Sequence, residues 1–469
     1  MKKFFFPTIV LLGMLSIAAG TIDLDNLFPY SSTPVPNYIL KDNTPPFNII
    51  DNQTATLGRV LFYDKNLSAN RAISCSSCHQ QEFAFSDTNA VSFGLTGGLT
   101  GRHSMRLANS RFGDEDRFFW DERAATLEDQ VTQPIQDHVE MGFSGEMGDP
   151  DLDSLLRRLE GIDYYGRLFH LVYGDSTVTE DRIQRALAQF VRSIYSFDSK
   201  FDSGFAMTNN LAMPFPNFTQ EENNGKRLYI QAVGQGGAGC QVCHRAPEFD
   251  IDPNSRNNGV VGVFGDSTAI DITITRSPNL RNLVNPSGVL NGALMHDASL
   301  TSLEAVIDHY DSVAVVAGNT NLDPRLNGGP GGPGMPPVPR VLNLAQAEKD
   351  ALVAFLKTLT GRDIYTHEMW SDPFDEQGDL VLLPEEIATS IAVIDQEVKM
   401  YPNPATSFVS VDFEGLEQEL SIYSINGQLM QKATIFSGQR VDVSSFQRGL
   451  YLLVLEGNGS KVSQKILLR

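Results

Sequence analysis

Two five-residue patterns account for every cysteine of the chain: Cys75-Ser76-Ser77-Cys78-His79 and Cys240-Gln241-Val242-Cys243-His244. Paired thiols at this spacing can add across the two vinyl groups of a porphyrin, and the histidine that follows is then held beneath the iron as an axial ligand. The pattern therefore points to covalently attached c-type haem, and two copies point to two haems. The competing chemistries fit less well. Zinc sites made from two C-x-x-C pairs usually place them about 15–20 residues apart, whereas these begin at Cys75 and Cys240. Neither zinc, a disulfide nor a thioredoxin-type redox pair needs a histidine at the same place twice.

The elements that must position these motifs can be read around them. A chain of 469 residues exceeds what one hydrophobic core supports, so two or three domains are expected. Lys2 and Lys3 precede an apolar run from Phe4 to Ala19, and Ala18-Ala19-Gly20 supplies small residues for cleavage, so residues 1–20 read as an export signal. No other segment approaches the ~20 apolar residues of a membrane span, so the mature chain should have none. Export agrees with haem attachment, which takes place outside the cytoplasm. The net charge of −21 argues against nucleic acid and against anionic membrane surfaces as partners. Helical spacing of Leu155, Leu156, Leu159, Leu168, Leu171 and Val172, and again of Ile183, Ala186, Leu187, Phe190, Val191 and Ile194, marks helices between Asp151 and Phe201. Asn209 to Asn217 reads as a hinge. A helix around Gln220–Ala232 leads into the second motif, a Gly/Pro-rich loop runs from Gly328 to Pro339, and a further helix spans Leu344 to Leu359.

The last seventy or so residues change character. Val409, Val411 and Phe413 alternate with polar residues, as do Leu420 and Ile422, and Asn426-Gly427 and Gly457-Asn458-Gly459-Ser460 are turn signals. The expected fold is thus mainly α, with two cytochrome c-like haem domains at 21–208 and 209–362. An acidic, weakly patterned linker at 363–399 and a small all-β sandwich at 400–469 follow.

Further ordered motifs carry a family resemblance over roughly residues 50 to 360. They are Gly58-Arg59-Val60-Leu61-Phe62-Tyr63-Asp64, Phe118-Phe119-Trp120-Asp121 with Arg123, then Gln130, Pro134 and Glu140-Met141. Ser277-Pro278-Asn279-Leu280-Arg281-Asn282, Met295-His296-Asp297 and Ala351–Leu356 complete the set. Together they resemble the bacterial diheme cytochrome c peroxidase family, which includes MauG. The tail, with Met400-Tyr401-Pro402-Asn403-Pro404 and Gly449-Leu450-Tyr451, resembles the C-terminal sorting domain of type IX secretion.

The resemblance implies a division of labour. Cys75, Cys78, Cys240 and Cys243 would hold the two haems, with His79 the proximal ligand of a peroxidatic iron and His244 that of an electron-transfer iron. Glu140 would be the acid–base group, Gln130 its polar companion and Pro134 a wall of the distal pocket; without the resemblance Glu140 is one of 57 acidic residues. Trp120, one of only 2 tryptophans, would relay electrons between the haems, although a buried core anchor is the plainer role. The family's second-haem ligand is a methionine in peroxidases and a tyrosine in MauG, and the match falls on Tyr310, with His309 and Met295 as alternatives. Where the well-known peroxidases carry a histidine that ligates the resting peroxidatic haem, this chain has Leu95, so a five-coordinate first haem is expected. His103 stands where the family carries an asparagine that helps bind a calcium ion between the haems, so one calcium ion is a further cofactor the resemblance allows. His103 could displace that calcium, ligate it or swing onto the iron, and a local structural role is expected for it over haem ligation. His138, His170 and His367 show no ligand spacing.

The function expected is reduction of hydrogen peroxide to water with electrons from a small donor protein. The alternatives are MauG-like oxidative modification of a partner protein and a non-enzymatic diheme electron carrier. The tail implies export through the periplasm to the cell surface or medium.

Overall fold

The computed structural model describes residues 20–114, 117–329, 338–384, 398–413, 417–425, 427–457 and 460–469. Residues 1–19 of the expected export signal, 330–337 of the Gly/Pro-rich loop, 385–397 of the expected linker, and Asn426, Asn458 and Gly459 of the turn signals lie outside the described residues. The chain forms two units, dividing after Leu383.

In the larger unit, α1 (Asn52–Tyr63) starts where the Asp51 carboxylate accepts the Thr54 N–H at 2.8 Å, and it leads to α2 (Cys75–Cys78) in the first motif. Then come α3 (Leu127–Val131), α4 (Leu152–Glu160), α5 (Asp163–Tyr173) and α6 (Glu180–Ser193). α1 lies against α6 so closely that a Cβ on Gly58 would sit 1.9 Å from the Ala186 carbonyl oxygen. The second half repeats the device. After α7 (Lys200–Thr208), α8 (Gln220–Ile230) precedes the second motif and crosses α10 (Gln346–Lys357), with α9 (Leu303–Asp311) between them in sequence. Here a Cβ on Gly225 would fall 1.8 Å from the Ala351 carbonyl oxygen. Only glycine permits either crossing, because any side chain would meet backbone that cannot rotate away.

Each crossing has its own core. Val60, Leu61, Phe62, Leu187 and Phe190 are buried in the first, and Leu228, Tyr229, Leu352 and Phe355 in the second. Phe201 and Phe205 of α7, which precedes the boundary expected at Asn209, belong to the second core. The linker expected at 363–399 also needs correction in its first part. Ile364, Met369, Trp370 and Leu382 are buried in the first core, and two short strands, at Thr21–Asp23 and Val381–Leu383, pair in parallel. Few apolar residues on short 3₁₀ turns give no periodic signal, yet they bury fully.

"Mainly α" also overstates the helix content. Apart from single 3₁₀ turns and two short bridging strands, the chain from 231 to 302 is irregular, and the smaller unit is β-rich. In that unit a three-stranded antiparallel sheet comprises Lys399–Tyr401, Phe408–Asp412 and Gln439–Asp442. A four-stranded antiparallel sheet comprises Glu417–Ser424, Leu429–Phe436, Gly449–Gly457 and Ser460–Leu468. Val409 and Val411 of one share a core with Ile422 and Leu453 of the other.

Candidate haem sites and the wall between them

Each C-x-x-C-H motif opens on its own cavity. The first, of about 540 Å³, is lined by Cys75, Cys78 and His79. The second, of about 460 Å³, is lined by Cys240, Cys243 and His244. The Nδ1–H of His79 donates to the Phe85 carbonyl oxygen at 3.3 Å, which leaves the lone pair on Nε2 for a metal. His244 lacks this brace, because its buried Nδ1 has no hydrogen-bond partner. A braced imidazole is the stronger donor. The two motif histidines are therefore unequal.

The buried cations test whether haem fits. Arg106 and Arg276 line both cavities and are each 6% exposed, yet Arg106 Nε and Arg276 Nη1 have no hydrogen-bond partner. Arg340 Nε, on the second cavity, is likewise unpartnered. Burial pushes Arg106 down to about 10. A buried guanidinium nitrogen without a partner is costly, and although the Asp250 carboxylate acts on Arg276, the propionates of a haem are carboxylates that would pair with these nitrogens. The cavity volumes, the free thiols and these arginines fit two c-type haems. Sequence reasoning missed the arginines, since nothing in their spacing distinguishes them from surface charges.

The distal group expected at the first site does assemble. Gln130, Pro134 and Glu140 all line the cavity that holds His79. α3 carries Gln130 and is clamped to α6 by a buried bidentate pair, Arg192 to Glu128 at 2.5 and 3.0 Å. The Asp137 carboxylate accepts the Val139 and Glu140 N–H groups at 2.8 and 3.0 Å and so fixes the turn that presents Glu140. Burial, and secondarily the charge of Asp137, pushes the Glu140 carboxyl up to about 7, against the pull of Arg123. A carboxyl so placed exchanges protons near neutral pH. Leu95 is not among the residues lining this cavity. It packs on Gly142, where a Cβ would lie 2.2 Å from Leu95 Cδ1.

A local repeat relates the two sites. Residues 118–124 and 294–300 each form an antiparallel bridge, Phe118 with Ala124 and Leu294 with Leu300. Each has left-handed residues at matching places: Phe119 and Glu122 in one, Met295 and Ala298 in the other. Thr126 and Ser302 then cap α3 and α9. In this register Trp120 matches His296, Gln130 matches Val306 and Pro134 matches Tyr310. The place that Tyr310 takes beside the second cavity is thus held at the first by a side chain that cannot ligate.

At the second cavity Asn258 Nδ2 donates both to the Tyr310 hydroxyl, at 3.1 Å, and to Met295 Sδ, at 3.3 Å. His309 does not line the cavity, and its Nε2–H donates to the Asn258 carbonyl at 3.0 Å. Of the three candidate residues, only Tyr310 and Met295 line this cavity. Burial pushes the Tyr310 phenol up to about 12, so only a nearby cation would hold it as phenolate.

Trp120 and His103 line both cavities and form much of the wall between them. The Trp120 indole N–H donates to the His103 carbonyl at 2.8 Å, and the ring meets His296 edge-on at 6.2 Å between centroids. The His103 ring is buried, with Nδ1–H shared between the Asn89 and Ala90 carbonyls at 3.1 Å each. His138 pairs with Asp149 at the surface, His170 is exposed and His367 caps a 3₁₀ turn.

Residues 52–210 match the family described as di-haem cytochrome c peroxidase. Methylamine utilization protein MauG of Methylorubrum extorquens is 30% identical over 325 residues, which are 67% of this chain and 80% of that protein. The chain belongs to the di-haem cytochrome c peroxidase family. The chain is also 28% identical to cytochrome c551 peroxidase of Nitrosomonas europaea over 319 residues, 66% of this chain and 80% of that one. A crystal structure of a MauG-like protein associated with microbial copper homeostasis superposes with a TM-score of 0.58 at 28% identity, covering 73% of this chain and 99% of that one. Family membership implies two c-type haems and makes the chain an oxidoreductase of the cytochrome-c peroxidase type, so the non-enzymatic carrier alternative falls. Residues 399–469 match a secretion system C-terminal sorting domain, which indicates export. Among the described residues no helix is long and apolar enough to cross a membrane.

Proposed function

We propose that the protein reduces hydrogen peroxide to water at the His79 site, with electrons passed from the His244 site and drawn from a donor protein. The observation that carries this is the convergence of Glu140, Gln130 and Pro134 on the His79 cavity, whose lining does not include Leu95. Bound haem supplies the redox-active iron at each site. Glu140, as carboxylate, takes the proton from the inner peroxide oxygen and returns it to the outer oxygen as the O–O bond breaks. Gln130 donates an N–H to the departing oxygen. Pro134 leaves its side of the pocket without a ligand. Trp120, fixed by the His103 carbonyl, carries electrons through the shared wall. Tyr310 would hold the iron of the second haem, and a phenolate oxygen in that role would favour the ferric state. The His103 N–H already occupies the Asn89 and Ala90 carbonyls, and this favours His103 as a substitute for the family's inter-haem calcium.

The test is peroxide-dependent oxidation of a reduced small cytochrome by the purified diheme protein; absence of turnover would overturn the reading unless a protein substrate is oxidised instead. That second reading, oxidative modification of a partner protein, is favoured by Tyr310 and by the identity to MauG. Slow cytochrome turnover with fast peroxide-driven modification of a partner would establish it. We further propose that the tail directs the enzyme through type IX secretion to the cell surface or medium. Recovery of the protein from the periplasm with its tail intact would contradict that.

A further inference from the structure

Trp370 is the second of the chain's 2 tryptophans and has no part in the wall between the cavities. It is 1% exposed, and three elements that line the first cavity hold it in place. Its indole N–H donates to the Ser193 carbonyl at 2.9 Å, two residues beyond Val191 of the cavity lining. Its own carbonyl accepts the Tyr63 hydroxyl at 2.6 Å, next to Phe62 of the lining. The His367 carbonyl, on the same turn, accepts Gln81 Nε2 at 3.1 Å, two residues from His79. Trp370 is therefore held by residues one or two positions from Val191, Phe62 and His79 of the first cavity lining.

From Trp370 the path to solvent is short and aromatic. The Tyr195 ring meets it edge-on, with centroids 5.0 Å apart and planes at 88°, and Tyr195 is half-buried. The exposed His367 ring lies 5.3 Å from Trp370 on the other side. Burial, then the charges of Asp363 and Asp198, push the Tyr195 phenol upward, so it keeps its proton until it is oxidised. Indole and phenol are the side chains most readily oxidised by one electron without a metal. Here they are in contact, one buried and one reaching water.

We propose that Trp370 and Tyr195 form a second exit for oxidising equivalents, leading from the His79 side of the first cavity to the surface, where aromatic one-electron donors such as phenols are oxidised. This rests on the peroxidase reading, because hydrogen peroxide, itself reduced to water, supplies the oxidant. Trp370 gives one electron to the peroxide-oxidised site and Tyr195 replaces it. The Tyr195 O–H bond breaks, its proton passes to solvent, and a phenol at the surface restores Tyr195 by giving up a hydrogen atom. The exit is separate from Trp120 and needs no second haem.

The test uses the full-length diheme protein with hydrogen peroxide, first without a donor and then with guaiacol. Without a donor, peptide mass mapping should find oxygen added at Tyr195 and Trp370, and freeze-quenched electron paramagnetic resonance should show an organic radical. Tyr195→Phe should confine the damage to Trp370 and lower guaiacol oxidation, while oxidation of a reduced small cytochrome keeps its parental rate. Trp370→Phe should abolish both marks. The exit is refuted if the haem bands respond to peroxide, neither residue is modified and Tyr195→Phe oxidises guaiacol at the parental rate. If the haem bands do not respond to peroxide, the peroxidase reading falls, and the exit falls with it.

Discussion

Replacing Glu140 by glutamine removes a proton acceptor and leaves the shape of the pocket nearly unchanged. The carboxyl sits at about 7 because of burial and the neighbouring charge of Asp137. Only the ionised form can take a proton from peroxide, so kcat/KM for peroxide should rise with pH. A group at that position is half ionised at pH 7, and a single titration makes the rate fall about fiftyfold by pH 5. An ordinary surface glutamate, near 4.3, would change it by less than about twofold over the same range. Glu140→Gln should lose this pH-dependent limb and about 10²–10⁴ of the rate, the usual contribution of a positioned acid–base group. Stability separates this from misfolding. A carboxyl raised in the folded state favours folding less as pH climbs from its unfolded value through about 7, so the glutamine variant should be no less stable than the parent at pH 8. Stopped-flow measurement of the haem bands against peroxide at several pH values is the assay. A flat profile between pH 5 and 8 in the parent, or a parental rate in Glu140→Gln, would refute the assignment.

Three further outcomes are expected. Tyr310→Phe should convert the second ferric haem to a high-spin form, and Tyr310→Met should raise its reduction potential, read by spectroelectrochemistry; unchanged spectra would exclude Tyr310 as ligand. Arg281→Ala should cost about 3–5 kcal/mol in denaturant unfolding, because it strands the buried Asp202 carboxylate that Arg281 now holds through two 2.9 Å hydrogen bonds. Arg281 keeps the Asp202 carboxyl below the usual range even though burial opposes this, so stability from the pair should be lost as pH falls through that depressed value. Gly225→Ala should prevent close crossing of α8 and α10 and reduce recovery of protein carrying the second haem, since its Cβ would meet the Ala351 carbonyl at 1.8 Å; normal haem content would contradict the role given to that glycine.

Much of the site was legible because its chemistry is local in sequence. Each C-x-x-C-H motif places two thiols and an imidazole together without help from the fold, and Gln130, Pro134 and Glu140 fall within one short helix and the turn after it. α4, α5 and α6 were legible from their apolar spacing, and α8 was read as a helix before the second motif, whereas α1 before the first motif was not read as a helix. What escaped depends on contacts distant in sequence. Trp370 docks on Ser193 and Tyr63 from a segment with no periodic pattern, and its burial could not be inferred from composition. Arg106 and Arg276 matter because their nitrogens are buried and unpaired, a property of the folded cavity alone. The match of Pro134 to Tyr310 needed the paired bridges and left-handed residues of the two loops, because side-chain identity differs at most matched places.

The account depends on two irons with different surroundings, and electron paramagnetic resonance of the ferric diheme protein at rest reads that difference directly. One high-spin signal from the His79 haem together with one low-spin signal from the His244 haem is the expected result. Two low-spin signals would mean that a side chain closes the first site, and the proposed peroxide chemistry at Glu140 would have no place to occur.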